Sequence, residues 1–174
     1  VSNDPPGAFS LIAPADSALV RNARPYLDWH RSYDPDHDGK YIARYELYLS
    51  QSDNIWAVDP VNTSISEYIL QNDLEDDAIY HWGVIAVDNY GLRDTSDTRI
   101  FYTNIVNTVP SPFAAITPAH NSQHDSLDID FRWHPAVDTD IGDVLHYKLQ
   151  LGTHISNLEY VYQGGDINFT DYDL

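Results

Sequence analysis

The chain has 174 residues, 27 of them acidic and 9 basic, for a formal net charge of −18, and it contains no cysteine. Such a surface repels nucleic-acid phosphates and anionic membranes, so nucleic acid and membrane insertion are poor partners for it. The missing thiols exclude disulfides, zinc–thiolate sites and cysteine nucleophiles, and no apolar run reaches the roughly 20 residues of a membrane-spanning helix.

The opening, Val1-Ser2-Asn3-Asp4-Pro5-Pro6, is that expected of a fragment of something larger. Strand patterns follow. Leu27-Asp28-Trp29 alternates and places Leu27 and Trp29 on one face; Tyr45, Leu47 and Leu49 do the same in the next run. Tyr80, Trp82, Val84 and Ala86 point one way along a longer run, and Arg99–Tyr102 reads as a last strand. Asp, Asn, Gly and Pro clusters separate these runs, as turns require. Of the acidic residues 23 are Asp and 4 are Glu, a bias that suits turns over helices. Six or seven short strands in about 100 residues predict a Greek-key β-sandwich.

The pattern then repeats. Pro6–Ala15 returns as Pro110–Ala119, a shift of 104 that holds without a gap through Trp29-His30 and Trp133-His134. It continues through Asp34 and Asp36 to Asp138 and Asp140. Ile129, Phe131 and Trp133 repeat the first inward set, and Tyr147, Leu149 and Leu151 the second. A period of this length means tandem domains, here residues 5–104 and 109–174.

The Pro-rich opening, Trp29, Tyr45, and Leu74 followed by Tyr80, Val84, Ala86, Asp88 and Gly91 form an ordered set. With it the unit resembles a fibronectin type III domain, of the kind repeated in large exported bacterial proteins. The resemblance implies an all-β tandem of Greek-key, immunoglobulin-like sandwiches, with Tyr80 as a corner tyrosine whose hydroxyl bonds back to the preceding loop. Leu174 aligns with Leu74, so the second copy is expected to lack its last two strands. Those strands either lie beyond the sequence or are supplied by another chain. Without them a sandwich exposes inward faces and an unpaired edge.

The sharpest chemical cluster is Asp34-Pro35-Asp36-His37-Asp38-Gly39, which opens like a calcium loop. The position that should carry a closing Glu is Tyr45 and the flanks read as strands, so an EF-hand is rejected. A looser calcium site remains, in which the fold brings Asp88 and Asn89 beside Asp34, Asp36 and Asp38. The second copy offers Asp138, Asp140 and Asp143 in the equivalent loop. Opposed to the loop Asp73–Asp77 across the linker Asn104–Val109, these carboxylates are expected either to share a divalent cation or to splay apart.

Tyr33, Tyr41 and Tyr90 near the loops, with Trp56 on an edge region, are candidates for an aromatic platform that binds sugar or protein. The histidines read as solvated, and no nucleophile elbow or phosphate loop is present. The expectation is a non-catalytic spacer and protein-interaction module of an extracellular or cell-surface protein, with calcium as its one candidate cofactor. Its partners would be other domains of the same larger protein and a protein or polysaccharide. The alternative is a carbohydrate-binding accessory module of a secreted hydrolase.

Overall fold

The computed structural model describes residues 3–37, 42–125, 129–154, 156, 159–164 and 171–173, in two compact units, Val1–Val106 and Asn107–Leu174. Asp38, Tyr41 and Leu174, which the sequence singles out, lie outside the described residues. The strands of the first unit are β1 (Leu11–Ala13), β2 (Ala18–Val20), β3 (Tyr26–Trp29), β4 (Arg44–Ser50) and β5 (Val61–Thr63), then β6 (Glu67–Ile69), β7 (Ile79–Val87), β8 (Arg93–Thr95) and β9 (Arg99–Thr103).

One sheet has the order β1-β3-β6; the other runs β2-β9-β7-β4-β5, with β8 added beside β7. The chain crosses from one sheet to the other between β3 and β4, returns between β5 and β6 and crosses again between β6 and β7, which makes a Greek-key sandwich. The described residues hold more strands than the six or seven expected, because the first edge strand divides between the sheets and two short strands, β8 and β9, pair in succession along β7. β1 pairs antiparallel with β3; beyond a turn in which Ser17 takes a positive φ, β2 pairs parallel with β9.

The alternation in the sequence becomes the core. Leu27 and Trp29 from one sheet meet Tyr45, Leu47, Trp82, Val84, Ala86 and Phe101 from the other, all buried. Burying each large side chain contributes roughly 1.5–3 kcal/mol. Trp29 and Tyr45 pack edge to face with ring centroids 5.5 Å apart. Two buried tyrosines also use their hydroxyls: Tyr45 accepts the Ser32 amide at 2.9 Å, and Tyr80 accepts the Glu75 amide at 3.0 Å. The second of these is the corner that the resemblance implied.

In the second unit β10 (Ala115–Thr117), β11 (Asp130–Trp133) and β14 (Asp171–Asp173) form one sheet. β12 (Tyr147–Leu151) and β13 (Glu159–Gly164) form the other. Registers repeat as well as strands. Leu11 faces Trp29 and Ala115 faces Trp133, each before the same irregularity; Leu27 faces Tyr68 and Phe131 faces Tyr172. The Tyr147 hydroxyl accepts the Ala136 amide at 2.9 Å, repeating Tyr45 and Ser32. The chain is all-β, two β-sandwich units in tandem, the second incomplete among the described residues.

Candidate functional site

The Asp-rich loop after β3 is built by its own side chains. Asp34 is fully buried, and its Oδ1 accepts the amide of Asp36 at 2.9 Å, the local bond that shapes an Asx turn. The carboxylate of Asp36 then accepts the amide of Asp4, far back in the segment that enters the unit. The same segment is pinned twice more: the Gly7 amide bonds the Tyr33 carbonyl at 2.8 Å, and the Ser32 hydroxyl donates to the Gly7 carbonyl.

The second unit repeats this arrangement. Asp138 Oδ1 accepts the Asp140 amide at 3.1 Å, while Asp140 takes the Thr108 amide on Oδ2 at 2.6 Å and the Thr108 hydroxyl on Oδ1 at 2.7 Å. The Ser111 amide bonds the Val137 carbonyl at 2.8 Å, as Gly7 bonds Tyr33. Donor and acceptor both move by the sequence period. Asp140 is a buried acid with each oxygen engaged, a charge-assisted clamp on the entering chain.

Two further aspartates of the first unit hold main chain in the same way. Asp88 accepts the Tyr90 and Leu92 amides on Oδ1, both at 2.8 Å, and the Asn3 side-chain amide on Oδ2 at 2.7 Å. Burial alone would raise its pKa, but the donors from Asn3, Tyr90, Leu92 and Gly91 outweigh it and hold the carboxyl below the usual range. Asp76 accepts the Ile105 amide at 2.6 Å and the Val106 amide at 3.1 Å, on the segment leaving the unit. The Ile105 amide is the chief cause of its lowered pKa.

Metal-ligand geometry is distributed unevenly among the aspartates that the sequence proposes. Asp138, Asp140 and Asp143 each offer a carboxylate oxygen, and these lie within 4.8 Å of one another, so the triad could bind a metal. Asp34, Asp36 and Asp88 form no such group among the described residues. Asp34 Oδ1, Asp36 Oδ2 and both oxygens of Asp88 go to backbone amides and to Asn3, and Asp34 Oδ2 is buried with no hydrogen-bond partner.

Three of the four aromatic candidates lie among the described residues. Tyr33 is 57% and Tyr90 73% exposed, both on loops, and the Arg31 guanidinium lies 5.8 Å from the Tyr33 ring centre. Trp56 is elsewhere: it packs edge to face on Tyr48, with ring centres 5.0 Å apart, above Gly83 in the middle of β7.

Beside Trp56 the structure shows a group that the sequence reading passed over. Glu46 is buried on the outer sheet face, holding Arg44 at 2.6 Å and Arg93 at 2.8 Å and accepting the Tyr48 hydroxyl at 3.2 Å. Burial works to raise the Glu46 pKa, and the two guanidinium groups with Tyr48 carry it below its ordinary value. The alternation Arg44-x-Glu46-x-Tyr48 was the available signal, on the face opposite Tyr45 and Leu47.

No protein-family model matches the chain, and no curated protein does. Among solved structures the chain is similar to the FN1–FN3 domains of chicken CNTN1, at 14% identity and a TM-score of 0.39. That match covers 99% of this chain and 54% of the other, so the chain spans about half the length of the structure it matches. The strand order and registers, not this likeness, define the fold. What the chain consists of is β-sandwich modules.

Proposed function

We propose that the chain is a non-catalytic spacer and protein-interaction module within a larger exported or cell-surface protein, whose neighbours are other domains of that protein. The observation that carries this reading is the repeated clamp: Asp36 on Asp4 and Asp140 on Thr108, with Asp76 on Ile105 and Val106. A spacer must keep its length under load, and carboxylates that tie the entering and leaving backbone to the sandwich serve that end.

Stretching the chain between handles at its two ends tests the reading. The first unit is expected to hold its length until it unfolds in a single step. Gradual lengthening at low force, as residues 3–7 and 104–106 peel away, would sink it.

The Asp138, Asp140 and Asp143 triad favours a second element, calcium stiffening of that loop. Calcium is then expected to raise the melting temperature of the chain, and Asp143→Asn to abolish the rise. An unchanged melting curve in millimolar calcium removes this element and leaves the spacer intact.

The alternative, a carbohydrate-binding accessory module of a secreted hydrolase, draws on the exposure of Tyr33 and Tyr90. It expects soluble oligosaccharides to quench tyrosine fluorescence in the wild type and not in Tyr33→Ala with Tyr90→Ala.

A further inference from the structure

The outer face of the larger sheet in the first unit carries an ordered cluster of charge. Residues directly opposite on antiparallel strands share a face, so the pairings Arg44–Val87 and Val87–Arg93 set two arginines in one row across β4, β7 and β8. The next row on that face holds Asn62, Glu46, Ile85 and Thr95, and the third holds Tyr48 beside Gly83. Glu46 ties the rows together. Its Oε1 accepts Nε and Nη2 of Arg44, at 3.0 and 2.6 Å, and Nη2 of Arg93 at 3.3 Å. Its Oε2 accepts Nη1 of Arg93 at 2.8 Å and the Tyr48 hydroxyl at 3.2 Å.

Two guanidinium groups against one carboxylate leave this cluster a single positive charge, on a chain whose net charge is −18. Each guanidinium spends only some of its N–H donors on Glu46, and the two side chains stay 42% and 49% exposed. Because both are anchored on one buried carboxylate, much of their side-chain freedom is lost before any ligand arrives, which lowers the cost of binding one. Trp56 stands with its benzo edge over Gly83 and packs on Tyr48; it is partly exposed, whereas Trp29, Trp82 and Trp133 are buried. Asn62 and Thr95, both exposed, add an amide and a hydroxyl to the same face. The main chain beneath is already paired on both sides, β4 with β5 and β7, and β7 with β4 and with β8 and β9. A ligand therefore meets side chains here and no open strand edge.

We propose that this face binds an acidic glycan, a uronate whose carboxylate is shared by Arg44 and Arg93, followed by a neutral sugar whose ring lies against Trp56. Guanidinium forks match a planar carboxylate, and an indole offers a flat apolar surface to a sugar ring. Asn62 and Thr95 supply partners for the sugar hydroxyls. A polypeptide fits less well, because peptides dock by strand addition at an open edge or by an apolar face in a groove, and this face has neither. The charge sets the spacing. One surplus positive charge takes one carboxylate, while the field of the remaining acidic chain repels a densely charged polyanion, so the uronates are separated by neutral sugars. The site is independent of Tyr33 and Tyr90.

The test titrates the 174-residue chain with a tetrasaccharide of alternating glucuronate and N-acetylglucosamine, and with the same tetrasaccharide after its carboxylates are reduced to alcohols. Calorimetry gives the affinity, and tryptophan emission reports on Trp56, since the other three indoles are buried. The expected result is saturable binding of the acidic sugar at millimolar concentration or below, with an emission change that follows it. The reduced sugar should bind at least tenfold more weakly. Arg93→Lys keeps a positive charge beside Glu46 but gives up the fork; it should weaken the acidic sugar at least fivefold and leave the melting of the first unit unchanged. Trp56→Ala should abolish the emission change and weaken binding at least tenfold, while Tyr33→Ala with Tyr90→Ala should leave it unaltered. Equal binding of the two sugars would overturn the proposal, and so would no binding of the acidic one. Binding that survives Arg93→Lys and Trp56→Ala but is lost with Tyr33 and Tyr90 would overturn it by moving the sugar to the loops. Tighter binding of a glutamate-rich peptide that displaces the sugar would make the occupant a polypeptide, which also overturns it.

Discussion

Asp140 shows how a carboxylate that looks like a metal ligand can act on its own chain. Its two oxygens take the amide and the hydroxyl of one residue, Thr108, in a buried setting. Hydrogen bonds to a charged acceptor contribute about 1.5–3 kcal/mol each. Asp140→Ala is therefore expected to destabilise the second unit by about 3–6 kcal/mol and to release the Thr108 amide to exchange. Tyr45→Phe removes the acceptor of the buried Ser32 amide and should cost about 1–3 kcal/mol in urea unfolding; the packing against Trp29 is kept. Acid should act through Asp88. Its folded pKa is depressed, so its contribution is fully present above the ordinary carboxylate value of about 4 and is lost as pH falls through the lower folded value. Urea midpoints should drop between about pH 5 and pH 2, and Asp88→Asn should flatten that drop while lowering stability at pH 7.

At the scale of elements, the alternating runs were legible because a sandwich strand declares its inward face every second residue. Trp29, Tyr45, Leu47, Trp82 and Val84 all reach the core in that way. The Asp-x-Asp loops were legible as carboxylate clusters, but their role was not. Their donors are the main-chain amides of Asp4 and Thr108, joined by the Thr108 hydroxyl, and these lie far back in the sequence. The Glu46 network was hidden for a related reason, since Arg93 reaches it from β8. The division of the first strand between two sheets left no mark that periodicity could read. Gly83 has a similarly silent role. A Cβ there would stand 2.9 Å from Trp56 Cη2 and 3.0 Å from Ile55 Cδ1, so the missing side chain lets the Trp56 turn lie on the sheet. Gly83→Ala should displace Trp56, seen as a red-shifted emission, and cost about 1–3 kcal/mol.

For the molecule as a whole, the repeat in the sequence proves to be a repeat of interactions as well as residues. The clamp on the entering segment, the buried tyrosine acceptor and the register of the first two paired strands all recur after one period. Clamped entry segments are what a module needs if its neighbours are to be held at a constant distance. The most direct measurement is native-state amide exchange at Asp4 and Thr108, in the wild type and in Asp36→Ala with Asp140→Ala, without added calcium. The account predicts that both amides are protected in the wild type and exchange freely in the variant, while the β7 amides keep their protection. Free exchange at Asp4 and Thr108 in the wild type would contradict it, and the acidic loops would then have to be explained by what they bind.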